Sequence, residues 1–316
     1  MARFTFFGGK GGVGKTSMSA AFAHKRARAG EDVLIVSTDP AHSTADVFDQ
    51  SFGDEPTPVD GYDSLDAIEI DPEQEVTDHL METKRALGDQ VSAGIVNEID
   101  RQIELAHQTP GAHESALFDR FIELMREADH DRVVFDTSPT GGTLRLLSLP
   151  EYLGSWIDRL VEKREASIDL YEKAAIGGRE PRRTSLGDPI LARLRDRKER
   201  FEFARETLRE DASFVLVANP DALSVRESER AIESLRERDL PVEGIIVNRL
   251  TPAPDDDETG RGARFLRQRI ETEQERLAEL RGFEPPIIAE IETRVSEVKG
   301  SFLDEVASEL EFKQSV

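Results

Sequence analysis

The chain has 316 residues, and 64 acidic against 41 basic residues give it a formal net charge of -23. A surface this negative repels nucleic acid and anionic lipid, so we expect no nucleic-acid partner. The sequence contains no Cys, which excludes disulfides, thiolate metal sites and thiol nucleophiles.

Short apolar runs bounded by turn residues alternate with helical patterns along the chain, and each run predicts a strand. The runs are Phe4–Phe7, Val33–Val36, Leu65–Ile70, Val133–Phe135, Phe214–Ala218, Ile245–Val247 and Ile287–Ile291. This alternation predicts an α/β fold with a mostly parallel, doubly wound sheet and helices on both faces. Right-handed crossovers place the C-terminal ends of the strands, and therefore the functional loops, along one edge.

The first predicted strand is followed by Gly9–Thr16, whose sequence GKGGVGKT satisfies the pattern G-x-x-x-x-G-K-[ST] and precedes a helical run, Ser17–Ala29. Small residues are needed here because successive backbone N–H groups must turn inward around a phosphate. We expect Lys15 to bridge the β- and γ-phosphates and the Thr16 hydroxyl to ligate Mg²⁺. The alternative is an ordinary glycine-rich turn, which the combination of strand, spacing and helix disfavours. The segment therefore predicts a P-loop nucleoside triphosphatase.

Two further strands end in carboxylates that suit the same site. Asp39, in the segment STDPAHS after the second strand, could orient or deprotonate the attacking water, and positioning is the larger contribution. Asp136 follows RVVF as a Walker B carboxylate does, and would hold Mg²⁺. Taken alone, an Asp-Pro turn commonly just begins a helix, and the segment after Asp136 reads as an ordinary strand-to-helix loop.

Two intervals are too long for simple crossovers, about residues 71–131 and about residues 143–211. We expect residues 1–316 to form a single P-loop domain, with these intervals contributing an inserted helical subdomain. The first contains two apolar stripes at helical spacing, Val91–Ile103 and Phe118–Met125. Such stripes usually pack on their own core, although they could also line a groove for an apolar client.

The loop KGGVGKT and the segments DPAHS and DTSPTGGTLRLLSLP, in this order, resemble the family of arsenical-pump ATPases and tail-anchored-protein targeting ATPases, which have a deviant Walker A loop. The resemblance extends through TPGAHESALFDRF at Thr109–Phe121, VNRL at Val247–Leu250 and EVKG at Glu297–Gly300. It implies a homodimeric, Mg²⁺-dependent ATPase with ATP as its nucleotide. Septum-site and plasmid-partition ATPases share the loop but not the other segments.

The resemblance also implies roles for individual residues. Asp39, Lys10 and Lys15 would be catalytic, with Lys10 crossing the dimer interface to the partner's nucleotide as an arginine finger does. The alternative for Lys10 is a solvated side chain. Asn248 would form hydrogen bonds with the edge of the adenine base. Without the resemblance, an Asn at this position is more typical of a turn. The segment Ile291–Gly300 would flank the base. The nucleotide contacts would be Gly9, Lys10, Gly11, Gly12, Val13, Gly14, Lys15, Thr16, Ser17 and Asn248, and the metal ligands Thr16, Asp39 and Asp136.

The sequence departs from this family at two points. Gly142 stands where many relatives have His, which affects how nucleotide state is coupled to dimer closure. Relatives in arsenite pumps bind the metalloid through thiolates, and this chain has no Cys. The leading hypothesis is therefore delivery of hydrophobic, tail-anchored membrane proteins to a membrane receptor. The alternatives are the ATPase subunit of an anion pump, with a pump subunit as its partner, and an ATPase that positions complexes at the membrane surface.

The expected location is the cytoplasm, because no stretch approaches the roughly 18 apolar residues that cross a bilayer. The N-terminus also enters a strand directly, without the pattern of a signal peptide. Only nine of the 41 basic residues are Lys. Such an acidic, Arg-rich composition indicates a halophile, because high salt screens repulsion between like charges. From this cytoplasmic location, contact with the membrane would be transient.

Overall fold

The computed structural model describes residues 2–38, 43–71, 73–78, 81, 112–137, 157–166, 189–295 and 299–310. Within these ranges the chain forms an eight-stranded sheet in the order β3-β4-β2-β5-β1-β6-β7-β8. The strands are β1 (Phe4–Gly9), β2 (Val33–Ser37), β3 (Thr57–Pro58), β4 (Leu65–Glu69), β5 (Arg132–Asp136), β6 (Ala212–Ala218), β7 (Val242–Leu250) and β8 (Ile287–Glu292).

Helices alternate with these strands. The labelled helices are α1 (Lys15–Arg28), α2 (Ser43–Phe48), α3 (Ala112–Glu127), α4 (Pro189–Glu210), α5 (Ala222–Arg236), α6 (Arg261–Arg281) and α7 (Ser301–Glu309). Residues 73–78 and 157–166 are also helical. Among the described helices, none has both the length and the apolar character that a membrane span requires.

The sheet confirms the predicted fold class. Each pair of neighbouring strands is parallel except β3 with β4, which is antiparallel at the edge. All seven predicted strands are present, and β3, with two residues, is the one that the sequence pattern did not predict. The predicted helical subdomain falls largely outside the described residues and stays a prediction.

Strand β1 lies in the middle of the sheet, and its side chains divide between two cores because successive residues of a strand face opposite sides. Phe6 belongs to the core on one face, where its ring stacks on Phe135 at a centroid distance of 4.5 Å and on Phe214 at 5.1 Å. Phe7 belongs to the core on the other face, together with Phe22 of α1. The sheet is thus covered on both sides, as parallel sheets require.

Helix α3 settles the role of one of the two apolar stripes. Phe118, Phe121, Ile122 and Met125 are all buried in the same core as Phe6. These residues pack on the sheet, so the alternative that they line a client groove is wrong. The other stripe, Val91–Ile103, lies outside the described residues.

A buried histidine ties α1 to the C-terminal helix α7. His24 is 4% exposed, with Nδ1 2.5 Å from Tyr62 Oη and Nε2 2.7 Å from Asp304 Oδ1. Because a carboxylate only accepts hydrogen bonds, Nε2 donates to Asp304, and Nδ1 of the neutral ring accepts from the Tyr62 hydroxyl. Burial lowers the pKa of His24, and the positive charge of Arg28 acts in the same direction, against the opposing effect of Asp304.

This pKa shift predicts a pH-dependent contribution to stability. Below about pH 6.5, His24 takes up a proton in the unfolded chain, whereas in the folded chain it stays neutral to lower pH. The free energy of unfolding should therefore fall as the pH drops from 7.5 to 5.5, and His24→Gln should remove this part of the fall. Chemical denaturation at constant salt measures both. Asp304→Asn should steepen the fall, and identical pH profiles for wild type and His24→Gln would contradict the assignment.

Candidate functional site

The loop between β1 and α1 has the backbone of a phosphate-binding loop. Positive φ angles occur at Gly9 (148°), Gly12 (80°) and Gly14 (96°), a region of backbone conformation that favours glycine. Helix α1 begins at Lys15, two residues before the predicted start, and its first turn contains no acidic residue. The N–H groups and the positive end of the helix dipole therefore favour an anion at this point.

Two of the glycines are also required by close approach. A Cβ at Gly9 would overlap the carbonyl oxygen of Val217 in β6, and a Cβ at Gly14 would overlap Nδ2 of Asn248 in β7. A Cβ at Gly12 would have no protein atom within 4 Å. The loop is thus packed tightly against the neighbouring strand ends on one side and open on the other.

Lys15 folds back over the loop. It is 9% exposed, and its Nζ donates to the Lys10 carbonyl oxygen at 3.4 Å. The Val13 N–H donates to the same oxygen at 3.4 Å. The ammonium group therefore lies over the mouth of the loop, where a phosphate between the N–H groups would meet it. Thr16 is the next residue of α1.

Asp136 lies at the end of β5, between the ends of β1 and β2. It is paired with Phe7 of β1 on one side and with Ser37 of β2 on the other, and it is 1% exposed. The Thr137 hydroxyl donates to the Phe7 carbonyl oxygen at 2.7 Å, and the Thr38 N–H donates to the Asp136 carbonyl oxygen at 3.1 Å. These contacts fix a carboxylate beside the strand that leads into the loop.

Several predicted residues lie outside the described ranges, among them Asp39 and Gly142. In the sequence Asp39 directly follows Thr38, and β2 ends at Ser37. Glu69 is a residue that the sequence did not point to. Its Oε1 accepts from the Ala45 N–H of α2 at 2.8 Å, which anchors the helix that follows the DPAHS segment.

Lys10 has an acidic neighbour within its own chain. Asp221 caps α5 by accepting from the N–H groups of Leu223 and Ser224, and also from the Ser224 hydroxyl. Burial acts to raise the pKa of Asp221, but the hydrogen bonds from Ser224 and Leu223 and the positive charge of Lys10 outweigh it and lower that pKa. Of these influences on the pKa of Asp221, the charge of Lys10 is the smallest.

A cavity of about 340 Å³ opens beside the loop. Its lining comes from the start of α1, from α2, and from the ends of β7 and β8, and consists of Gly14, Ser17, Met18, Asp46, Val47, Asn248, Arg249, Ile291, Glu292, Thr293, Arg294 and Lys299. Asn248 and the segment expected to flank the base thus meet at one cavity. The sequence did not indicate the contribution of Asp46 and Val47, because it depends on how α2 packs.

The model for the family described as anion-transporting ATPase matches residues 2–311. The chain belongs to this family. Its relatives include the putative arsenical pump-driving ATPase 2 of Aquifex aeolicus, which is 32% identical over 283 residues, 89% of each chain. ATPase get3 of Pyrenophora tritici-repentis is 34% identical over 78% of this chain and 74% of its own. ATPase GET3C of Arabidopsis thaliana is 36% identical over 81% of this chain and 68% of its own. The family resemblance of the motifs is confirmed, and the protein is an ATPase.

The tight contact at Gly14 predicts a stability difference between two glycines of this ATPase. Gly14→Ala and Gly30→Ala both place a Cβ on a left-handed backbone, which costs about 1–2 kcal/mol. Only Gly14→Ala must also displace the Asn248 amide, at a further cost of about 1–3 kcal/mol, since a Cβ at Gly30 meets no atom within 4 Å. Denaturant unfolding without nucleotide measures the difference. Equal losses in the free energy of unfolding for the two variants would show that the Asn248 side chain moves aside without an energetic cost.

Proposed function

We propose that this ATPase works as a homodimer that closes when ATP is bound and opens in the ADP state. This cycle would deliver apolar membrane-protein segments to a membrane partner. The observation that carries the proposal is the phosphate loop with its two lysines. Lys15 is 9% exposed and folds over its own loop, whereas Lys10 is more exposed, at the start of the loop. Lys15 therefore suits a phosphate bound in its own protomer, whereas the Lys10 side chain can extend toward a partner protomer.

ATP would bind with its phosphates in the loop. The inward N–H groups and Lys15 would hold the β- and γ-phosphates, and the open side at Gly12 leaves room for them. The oxygen ligands that Mg²⁺ prefers are available from Thr16 and from the buried Asp136, so the site fits this ion. When bound, Mg²⁺ supplies positive charge against the phosphates.

Hydrolysis needs a water held in line with the γ-phosphate, and we assign this positioning to Asp39. The assignment rests on its place one residue beyond Thr38, whose N–H bonds to the Asp136 carbonyl oxygen. A carboxylate is a weak base toward water, so orientation is its main contribution. Asp39 could also contribute to the metal site through its oxygens.

Lys10 would act on the nucleotide of the partner protomer. A cation placed there stabilises the negative charge that develops in the transition state of phosphoryl transfer. Within its own chain, the charge of Lys10 makes a small contribution to lowering the pKa of Asp221.

The base would occupy the cavity beside the loop, next to Asn248 and between α2 and the segment that follows β8. A volume of about 340 Å³ is within the range of small-molecule sites. One N–H of the Asn248 amide is used by Val13 and one lone pair by Arg249. The amide keeps one N–H and one lone pair, which match the acceptor and donor of adenine.

The cargo we favour is an apolar transmembrane segment of a tail-anchored protein. Support comes from the relatives named ATPase get3 and GET3C, and from the complete absence of the thiolates that arsenite binding uses. The client would bind the helical subdomain that we assign to residues 71–131 and 143–211, and membrane contact would be transient. The second candidate is the ATPase subunit of an anion pump, favoured by the family description and by the Aquifex aeolicus relative.

Mixed dimers test the role of Lys10. Random mixing of Lys10→Ala and Lys15→Ala protomers makes half of the dimers mixed, each with one complete site if Lys10 acts across the interface. The ATP turnover per protomer should therefore recover to about one quarter of the wild-type rate. The control mixes Lys10→Ala with the double variant Lys10→Ala/Lys15→Ala, which offers no partner Lys10. No recovery in stable mixed dimers would assign Lys10 to its own protomer.

A peptide capture experiment tests the cargo. The full chain in high salt should retain a peptide with about 20 consecutive apolar residues when a non-hydrolysable ATP analogue is bound, and release it with ADP. The control peptide has two Lys in the middle of the apolar stretch, which make its burial costly. Failure to retain the apolar peptide, together with turnover that rises with an oxyanion, would favour the anion pump instead.

A further inference from the structure

We infer that Asn248 is a positioning residue for the phosphate loop: its side chain fixes the orientation of the peptide bond between Val13 and Gly14. Reading a base would be a second role for the same amide. The inference rests on the phosphate site proposed above. It is carried by hydrogen bonds and close packing that join the end of β7 to the loop.

The first observation is a buried hydrogen bond across a long stretch of sequence. Asn248 is 8% exposed, and its Nδ2 donates to the Val13 carbonyl oxygen at 2.8 Å. Its Oδ1 accepts from the Arg249 N–H at 2.9 Å. The side-chain amide is therefore held at both ends by backbone and cannot turn without breaking a hydrogen bond.

The Val13 carbonyl matters because of peptide geometry. In a trans peptide the C=O and the following N–H point in opposite directions. Holding the Val13 carbonyl toward Asn248 therefore turns the Gly14 N–H the other way, into the loop, where an anion binds. Without a donor, a carbonyl packed inside the protein would lose a hydrogen bond, and the peptide would be free to rotate.

The second observation is steric. There is no space for a Cβ between Gly14 and the Asn248 amide. Gly14 is also the residue that caps α1, with φ 96° and ψ 30°. Asn248 thus packs directly on the residue at which the loop becomes a helix, and it limits movement of the loop in that direction.

The support for Asn248 is itself rigid. Val247 in β7 is paired with Ala218 of β6 and with Glu290 of β8, and is 0% exposed. Arg249 then adopts a left-handed backbone with φ 63°. Asn248 therefore directly follows a residue that is paired on both sides, and the pairing of β7 with β8 shifts register between Val247 and Leu250.

The test uses a ligand that has phosphates and no base. Isothermal titration calorimetry with Mg²⁺ and inorganic tripolyphosphate should show binding to the wild-type full chain, and Asn248→Ala should weaken it by roughly tenfold. A residue that only reads adenine would weaken ATP binding in the same variant and leave the tripolyphosphate affinity unchanged. That outcome would overturn the inference.

Two further variants make the result specific. Asn248→Leu has a similar volume, adds no charge beside the anion site and has no N–H for Val13, so it should lose affinity as well, and it keeps the test usable if the Ala variant does not fold. The matched control is Gln50→Ala, which removes an amide that also donates to a backbone oxygen, Pro58 O at 2.9 Å, and accepts a backbone N–H, Asp60 N at 2.8 Å. This control should bind tripolyphosphate as the wild type does, and an equal loss there would contradict a specific role.

The two possible failures are distinguishable. Absence of tripolyphosphate binding to the wild-type chain would overturn the proposed phosphate site and this inference with it. Wild-type binding that Asn248→Ala and Asn248→Leu both retain would overturn only the role of Asn248. Melting temperatures without ligand check that each titrated variant is folded at the temperature of the titration.

Discussion

The site depends on the close approach of the phosphate loop to the ends of the strands beside it. Strand β1 lies in the centre of a parallel sheet, and its last residue, Gly9, leaves no space for a side chain against Val217 of β6. At the other end of the loop, Gly14 leaves none against Asn248 of β7. Packing, as well as backbone conformation, therefore requires glycine at both positions. The same packing leaves the opposite side of the loop open for phosphate.

The central position of β1 also explains why the charged residues meet there. Asp136 comes from β5, the neighbour on one side, and Asp221 follows β6, the neighbour on the other. A chain with a net charge of -23 thus brings two carboxylates close to a loop with two lysines. Their surroundings differ: Asp136 is buried at the end of β5, whereas Asp221 caps helix α5. Local geometry rather than net charge decides what this part of the molecule binds.

Much of this architecture could be predicted from the sequence because the signals are local. The seven predicted strands are continuous apolar runs, and buried parallel strands have that pattern. Strand β3 has two residues, too few for any periodicity. The Phe118–Met125 stripe had the right helical spacing, but only tertiary packing could assign it to the core rather than to a groove. The position of Glu69 under α2 is likewise a tertiary contact with no local signal.

The Asn248 contact shows the same limit within the site. The family resemblance predicts a contact between Asn248 and the nucleotide. The hydrogen bond from Asn248 to Val13 joins residues 235 positions apart, and no pattern within either segment predicts it. The contact also has a physical consequence for α1. This helix is held at its start by the end of β7 and in its middle by α7, through His24 and Asp304. The segment between β8 and α7 contributes Thr293, Arg294 and Lys299 to the cavity. Because the end of β7 and helix α7 both lie in the C-terminal third of the chain, this third of the chain fixes the helix on which the phosphate loop is built.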